Sequence, residues 1–189
     1  MKDERGTMND EGRMMKTGRM SGLSFIIHYS SFIVLFLCCL AAASEAHRFE
    51  SRWTEADGEH TAHGTAFILG GVVYTAAHNV ERGEAFIEFD TSWIRCDVKE
   101  RDESRDVATL KPRFHLDDDT PADGCHASIE GRPVKRLRVE NLKLDWCEIA
   151  GFGQGGSGAP IYSHGKLVGM AVAWDGEKRV RWTEVKSQK

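Results

Sequence analysis

The segment Gly153-Gln154-Gly155-Gly156-Ser157-Gly158-Ala159-Pro160 places a serine in a glycine-rich turn, directly before the apolar pair Ile161-Tyr162. Glycine adopts backbone angles that a residue with a Cβ resists, so such a turn can present a hydroxyl and neighbouring N–H groups together. A serine hydroxyl is a poor nucleophile at neutral pH unless an imidazole takes its proton. A catalytic role for Ser157 would therefore require a histidine and a carboxylate from elsewhere in the chain.

Two upstream segments supply these groups. Thr75-Ala76-Ala77-His78-Asn79-Val80 places a histidine just after an apolar strand, and Arg105-Asp106-Val107-Ala108-Thr109-Leu110 places an aspartate just before one. Alone, a histidine is more often structural and an aspartate is usually a turn residue. Together and in this order, they predict Ser157 as nucleophile, with His78 as general base and acid and Asp106 orienting His78.

The three segments resemble the T-A-A-H, D-(I/V)-A-x-L and G-x-S-G-x-P signatures of the chymotrypsin-like serine proteases. The resemblance covers most of residues 62–185 and implies an all-β fold, in which two six-stranded antiparallel β-barrels enclose the active site in the cleft between them. It also implies hydrolysis of peptide bonds in a protein or peptide through an acyl-enzyme, with no metal and no cofactor. The backbone N–H groups of Gly155 and Ser157 would then form the oxyanion hole.

The same resemblance suggests which residues line the substrate pocket. By the family's spacing, Gly151 forms the floor, Gln154 lies in the pocket's nucleophile loop, and Ala173-Trp174-Asp175 forms one wall. Gly151 is not an aspartate, and strand 168–174 contains no histidine. Preferences for Arg or Lys, and for Glu or Gln, are therefore not supported, and a medium-sized apolar side chain is expected. Asp175 is expected either to favour a basic group or to narrow the entrance.

The chain also departs from the vertebrate pattern. Asn79 stands where vertebrate trypsins have a cysteine, and Gly156 stands where they have the aspartate that receives a new N-terminus on activation. Only residues 107–156 separate the predicted aspartate from the serine. These features resemble compact proteases of RNA viruses and some bacteria. Two alternatives remain open: a catalytically inactive peptide-binding module on a protease fold, and a viral protease that processes its own polyprotein.

Composition agrees with one mainly β domain. The 189 residues carry 25 basic and 29 acidic side chains, a net charge of −4 without a basic block, so nucleic acid is not an expected partner. Short strand-like runs follow one another after residue 47, which predicts a sandwich or barrels. The polar segment 112–123, with three consecutive aspartates, is typical of a solvated linker. It would divide a monomeric domain, 47–189, into barrels at about 47–111 and 124–189.

Residues 1–46 are predicted to be a leader rather than part of the fold. The apolar run 23–43 is followed by small residues at the spacing that signal peptidase requires. Cleavage is the favoured interpretation, and an uncleaved membrane anchor is the alternative. Both place residues 47–189 outside the cytosol, either secreted or lumenal.

Three cysteines remain after the leader: Cys96, Cys125 and Cys147. An oxidising compartment permits disulfides, but an odd count leaves at least one thiol unpaired within the chain. We expect Cys125 and Cys147 to be the paired residues, because both fall in the second half of the proposed fold.

Overall fold

The structure is a computed structural model in which residues 45–185 are described. The predicted signal or anchor segment, 23–43, lies outside these residues. Within 45–185, no helix has both the length and the apolarity needed to cross a bilayer.

Six antiparallel strands close into the first barrel, in the order β1-β2-β3-β6-β5-β4. Closure follows from β1, which pairs with β2 on one side and with β4 on the other. The interior is apolar, with Phe49, Ile87 and Leu110 among its fully buried side chains. The strands are β1 His47–Glu55, β2 Gly58–Leu69, β3 Val72–Thr75, β4 Glu84–Phe89, β5 Ser92–Asp102 and β6 Val107–Pro112.

Seven strands form the second sheet, in the order β8-β7-β11-β12-β13-β10-β9. Its two edge strands, β8 and β9, are separated in sequence only by Arg138, so the sheet curls until its edges nearly meet. The double barrel expected from the sequence is thus confirmed, with seven strands rather than six in the second sheet. The strands are β7 Gly124–Ala127, β8 Lys135–Leu137, β9 Val139–Glu140, β10 Trp146–Ile149, β11 Pro160–Ser163, β12 Lys166–Trp174 and β13 Arg179–Thr183.

The segment between the barrels, 113–123, is fastened to the first barrel rather than solvated as expected. Asp119 Oδ2 accepts a hydrogen bond from the N–H of Ile68 at 2.7 Å, and Asp119 Oδ1 lies 2.8 Å from His47 Nε2. The Asp118 carboxylate accepts the N–H groups of the turn between β2 and β3. Leu116 is buried in the first core. These contacts hold the start of the second barrel against the end of β2.

Contacts also extend to the two described residues before β1. Ala46 is buried, and the Glu45 carboxylate lies 2.7 Å from Nδ1 of His126, a fully buried histidine on β7. The packed structure therefore includes residues 45 and 46, which precede the predicted start of the domain.

The predicted disulfide between Cys125 and Cys147 is wrong. All three described cysteines are buried free thiols. Cys125 lies on β7 and Cys147 on β10, strands that are not neighbours in the sheet, and both side chains pack into the second core as small apolar groups. Burial raises the pKa of the Cys147 thiol to about 12, which keeps it protonated and unreactive.

Candidate active site

Two adjacent strands bring His78 and Asp106 together. β3 ends at Thr75, and a short 3-10 helix, Ala77–Val80, then carries His78. Asp106 immediately precedes β6, which pairs with β3. Asp106 has a φ of 56°, in the left-handed region that aspartate tolerates better than most residues. This conformation ends the β5–β6 turn with the carboxylate against the helix.

The pair is tightly hydrogen-bonded. Asp106 Oδ2 lies 2.7 Å from His78 Nδ1, and Asp106 Oδ1 accepts the backbone N–H of His78 at 3.0 Å. Burial acts to raise the pKa of Asp106, but the hydrogen bonds donated by the side chain and backbone of His78 outweigh it, so this pKa lies below its usual range. The ionised carboxylate can only accept, so Nδ1 carries the proton. In a neutral imidazole, Nε2 is then free to act as a base.

Two consecutive turns shape the loop that carries Ser157. The N–H of Gly156 donates to Gly153 O at 3.0 Å, and the N–H of Ala159 donates to Gly156 O at 3.0 Å. The third residue of each turn has a positive φ: 88° at Gly155 and 90° at Gly158. A type II turn requires this conformation at its third position, where glycine is strongly favoured. Ser157 is the second residue of the second turn.

Thr65, near the middle of β2, fastens this loop to the first barrel. Its N–H donates to Ser157 O at 2.9 Å, and its hydroxyl donates to Gly155 O at 2.8 Å. The same hydroxyl accepts the N–H of Ser128 at 2.9 Å. Thr65 is fully buried. One residue therefore ties the carbonyl groups on both sides of Gly156 to the opposite barrel.

Asn79, the residue after His78, makes the second tie. Its Nδ2 donates to Ser157 O and to Thr75 Oγ1, each at 3.0 Å. The Thr75 hydroxyl in turn donates to Thr65 O at 2.8 Å. The carboxamide lies against Gly64, where an added Cβ would come within 2.5 Å of Nδ2. The backbone of Ser157 is thereby connected to the helix that carries His78.

A double-mutant cycle on Gly64 and Asn79 tests this connection. We expect Asn79→Ala to lower the free energy of unfolding by about 1–3 kcal/mol, because it leaves buried partners unsatisfied. Gly64→Ala should have a comparable effect by displacing the carboxamide. The double variant should cost less than the sum, because the alanine at 64 then fills the vacated space. Urea unfolding of the four proteins measures the coupling, and additive single effects would show that the two residues act independently.

Two backbone N–H groups in the loop that carries Ser157 have no acceptor within the described residues. Within residues 45–185, the N–H groups of Gly155 and Ser157 donate to no protein acceptor, whereas those of Gly156 and Gly158 donate to Gly153 O and Ala171 O. These are the two groups predicted to form the oxyanion hole. Ser157 Oγ and His78 Nε2 likewise make no hydrogen bond within the described part of the chain, so the third link of the predicted triad is open in this structure.

The predicted pocket residues divide into two groups. Ala173, Trp174 and Asp175 line one groove on the second barrel, together with residues of β13 and of the start of β10. Gly151 and Gln154 are exposed and do not line that groove. The backbone O of Gln154 instead accepts the N–H of Glu130 at 2.6 Å. Of the five predicted pocket residues, the three of the wall thus line this groove.

Sequence reasoning missed Thr65 and Thr75 and assigned Asn79 no role. All three are buried polar residues, a class that requires hydrogen-bond partners. Asn79 was visible as a polar residue beside the predicted base. Thr65 carried no signal, because a threonine within a strand ordinarily indicates only β-propensity.

No family model and no curated protein matches this chain. Several solved structures, in contrast, match it. The active form of the Rv3671c protease from M. tuberculosis matches with a TM-score of 0.61 and 19% identity, over 78% of each chain. The inactive form of the same protease matches with a TM-score of 0.57 and 18% identity, over 77% of this chain and 86% of the other. A serine protease of human pathogenic astrovirus matches with a TM-score of 0.51 and 16% identity, over 76% of this chain and 90% of the other.

The structural matches agree with the closed six-stranded barrel and with the second, nearly closed sheet of this chain. At these identities the likeness concerns the fold. The chain therefore has the chymotrypsin-like double β-barrel fold, of the compact kind found in bacterial and viral trypsin-like proteases.

Proposed function

We propose that this protein is a serine endopeptidase that hydrolyses peptide bonds through an acyl-enzyme. The observation that carries the proposal is the hydrogen bond between His78 Nδ1 and Asp106, because it directs the other ring nitrogen, Nε2, to the role of base. The free N–H groups of Gly155 and Ser157 support it further. A base and two oxyanion donors next to one serine are the set of groups that acyl transfer requires.

In the proposed first half-reaction, Ser157 Oγ attacks the substrate carbonyl carbon while His78 Nε2 takes the hydroxyl proton. The oxygen of the tetrahedral intermediate accepts the N–H groups of Gly155 and Ser157. The C–N bond then breaks, His78 protonates the leaving amine, and an ester on Ser157 remains. The Asp106 carboxylate stabilises the imidazolium formed in between.

Water completes the cycle in the second half-reaction. His78 removes a proton from the water as its oxygen attacks the ester carbonyl. The ester C–O bond breaks, the proton passes to Ser157 Oγ, and the acid product leaves. All groups return to their starting protonation states, so the cycle needs no metal and no redox cofactor.

Fluorophosphonate labelling tests the proposal, because the reagent phosphonylates only an activated serine. We expect one adduct, located at Ser157 by mass spectrometry and absent from Ser157→Ala. Ser163, a serine on β11 whose hydroxyl contacts His164, provides the matched control: Ser163→Ala should label like the wild type. Hydrolysis of a casein or peptide library that persists in Ser157→Ala would refute the assignment of the nucleophile.

A second candidate is a catalytically inactive module that binds peptides on the same fold. It is favoured by one observation, the open link between Ser157 Oγ and His78 Nε2. A folded protein that shows no adduct but binds library peptides would establish it. A polyprotein-processing protease differs only in substrate, and turnover of peptides from its own termini would identify it.

The proposal includes a protein or peptide substrate, a monomeric domain, and a location outside the cytosol. The apolar segment 23–43 and its small-residue flank support that location. Expression of the full chain in a host cell, with N-terminal sequencing of the protein recovered from the medium and from the membrane fraction, distinguishes a cleaved signal from a retained anchor.

A further inference from the structure

One groove on the outer face of the second barrel carries arginines that the proposed mechanism does not use. Trp146 on β10 pairs with Arg181 on β13, which in turn pairs with Ala173 on β12. Directly paired residues project to the same face of a sheet, so these three side chains form a row across three strands. The half-exposed ring of Trp174 borders the groove.

The groove lies beside the loop of Ser157. Ala171 on β12 accepts the N–H of Gly158 at 2.8 Å and donates its own N–H to Ala159 O at 2.9 Å. Ala173 is two residues further along the same strand. At about 3.3 Å per residue, the groove begins roughly 7 Å along β12 from these contacts. A substrate side chain that extends along β12 from a peptide bond held at Ser157 therefore points toward the near end of the groove.

The charged side chains of the groove differ in whether they already have partners within the protein. Asp175 Oδ1 accepts the N–H groups of Glu177 and Arg179, at 2.9 and 3.1 Å, so this carboxylate is used to stabilise the β12–β13 turn. The Arg179 guanidinium lies over the Trp146 ring, 4.2 Å from its centroid. The Arg181 side chain is exposed, and its guanidinium has no hydrogen-bond or ion-pair partner among residues 45–185. Arg181 is thus the available cation of the groove.

We propose that this groove binds an acidic side chain, glutamate or aspartate, of the substrate residue whose carbonyl is attacked. This inference rests on the proposed peptidase function. Arg181 supplies the counter-charge, and Arg179, oriented by Trp146, adds a second cation. A guanidinium binds a carboxylate through two parallel hydrogen bonds, and Trp146 and Trp174 contribute apolar surface to the lining of the groove. The apolar preference expected from the sequence was based on Gly151, which does not line this groove, and the Asp175 carboxylate, which was expected to favour a basic group or narrow the entrance, is bound within its own turn.

Four fluorogenic peptides that differ only at that residue, with Glu, Gln, Leu or Lys, test the proposal on the purified protein. Glutamine has the shape of glutamate without its charge. We expect kcat/KM for the Glu peptide to exceed that for the Gln peptide at least about tenfold at low ionic strength. The advantage should shrink in 1 M NaCl, where the screening length is about 3 Å.

Substitutions at Arg181 locate the effect. Arg181→Gln should lower kcat/KM for the Glu peptide about tenfold and leave the Gln peptide within twofold. Arg181→Glu should make the Lys peptide better than the Glu peptide. Arg82→Gln removes the same charge from a first-barrel arginine that pairs with Glu55. This control should change neither the Glu-to-Gln nor the Lys-to-Glu ratio of kcat/KM. Asp145→Asn, which removes a carboxylate from the groove, should improve the Glu peptide.

Fluorophosphonate labelling separates the two possible failures. If Ser157 is labelled but the Leu or Lys peptide is the best substrate, the groove proposal is overturned and the peptidase stands. If Arg181→Gln and Arg82→Gln change the Glu-to-Gln ratio equally, net charge rather than the groove is responsible, which also overturns it. Absence of both label and turnover overturns the proposed function, and this inference with it.

Discussion

Replacing Asp106 with asparagine should lower kcat for peptide hydrolysis about 10⁴-fold while leaving both barrels folded. The amide keeps the shape of the carboxylate, but an NH2 group facing His78 Nδ1 forces that nitrogen to accept. The ring proton then moves to Nε2, where it blocks transfer from Ser157. The measurement is kcat on a fluorogenic peptide, with the melting temperature recorded in parallel.

Asp102 provides the matched control, because it is an aspartate of the same hairpin with different partners. Its carboxylate accepts hydrogen bonds from the Ser104 hydroxyl and from the backbone and side chain of Arg105. Asp102→Asn should therefore keep kcat within a few-fold of the wild type. If Asp106→Asn retained a tenth or more of the activity, the orienting role of Asp106 would have to be abandoned.

The second large effect is expected at Gly158. A Cβ there would lie 2.0 Å from Thr65 O and 2.7 Å from Thr75 Oγ1, and the φ of 90° is itself unfavourable for alanine. Gly158→Ala must therefore push the loop away from β2, which breaks the hydrogen bond from Thr65 to Ser157 O. A displacement of about 1 Å at a reacting group costs roughly 10² in rate. We expect at least that loss in fluorophosphonate labelling, together with several kcal/mol of stability.

The control variant Gly165→Ala separates the effect of the steric clash from the effect of the left-handed backbone conformation. Gly165 has a φ of 69° in the β11–β12 turn, and a Cβ there would meet nothing within 4 Å. This variant should lose about 1–2 kcal/mol of stability from the left-handed conformation alone and keep the wild-type labelling rate. Equal labelling rates for Gly158→Ala and wild type would mean that contact with the first barrel does not position Ser157.

The strand content was largely predictable where strands are apolar. β3 and β6 are runs of buried residues, and both were expected close to their observed bounds. β1 was not expected, because His47–Glu55 contains five charged or histidine side chains. Pairing with β2 over nine residues and with β4 over four makes it a strand. Such long-range pairing leaves no local mark, and the charged residues of this strand are tolerated because they form ion pairs, Arg48 with Glu88 and Arg52 with Glu50.

The buried polar network was hidden from the sequence for the same reason. Thr65 and Ser157 are separated by more than ninety positions, yet one hydrogen bond joins them. No local pattern reports which carbonyl a buried hydroxyl will meet. The predicted disulfide between Cys125 and Cys147 failed for a related reason. Two thiols in the same half of the fold do not thereby lie within bonding geometry.

The sequence by itself determined the fold class, the candidate triad residues and the glycine positions around Ser157, because each depends on residue types within a short segment. Tertiary structure alone decided how the barrels are joined and which charges the substrate groove offers. Asp175 was expected to favour a basic group or to narrow the pocket entrance, but its carboxylate is bound within its turn, whereas Arg181 faces the groove because β13 pairs with β10 and β12. Local sequence specifies backbone conformation, whereas the partners of a side chain depend on strands that are distant along the chain.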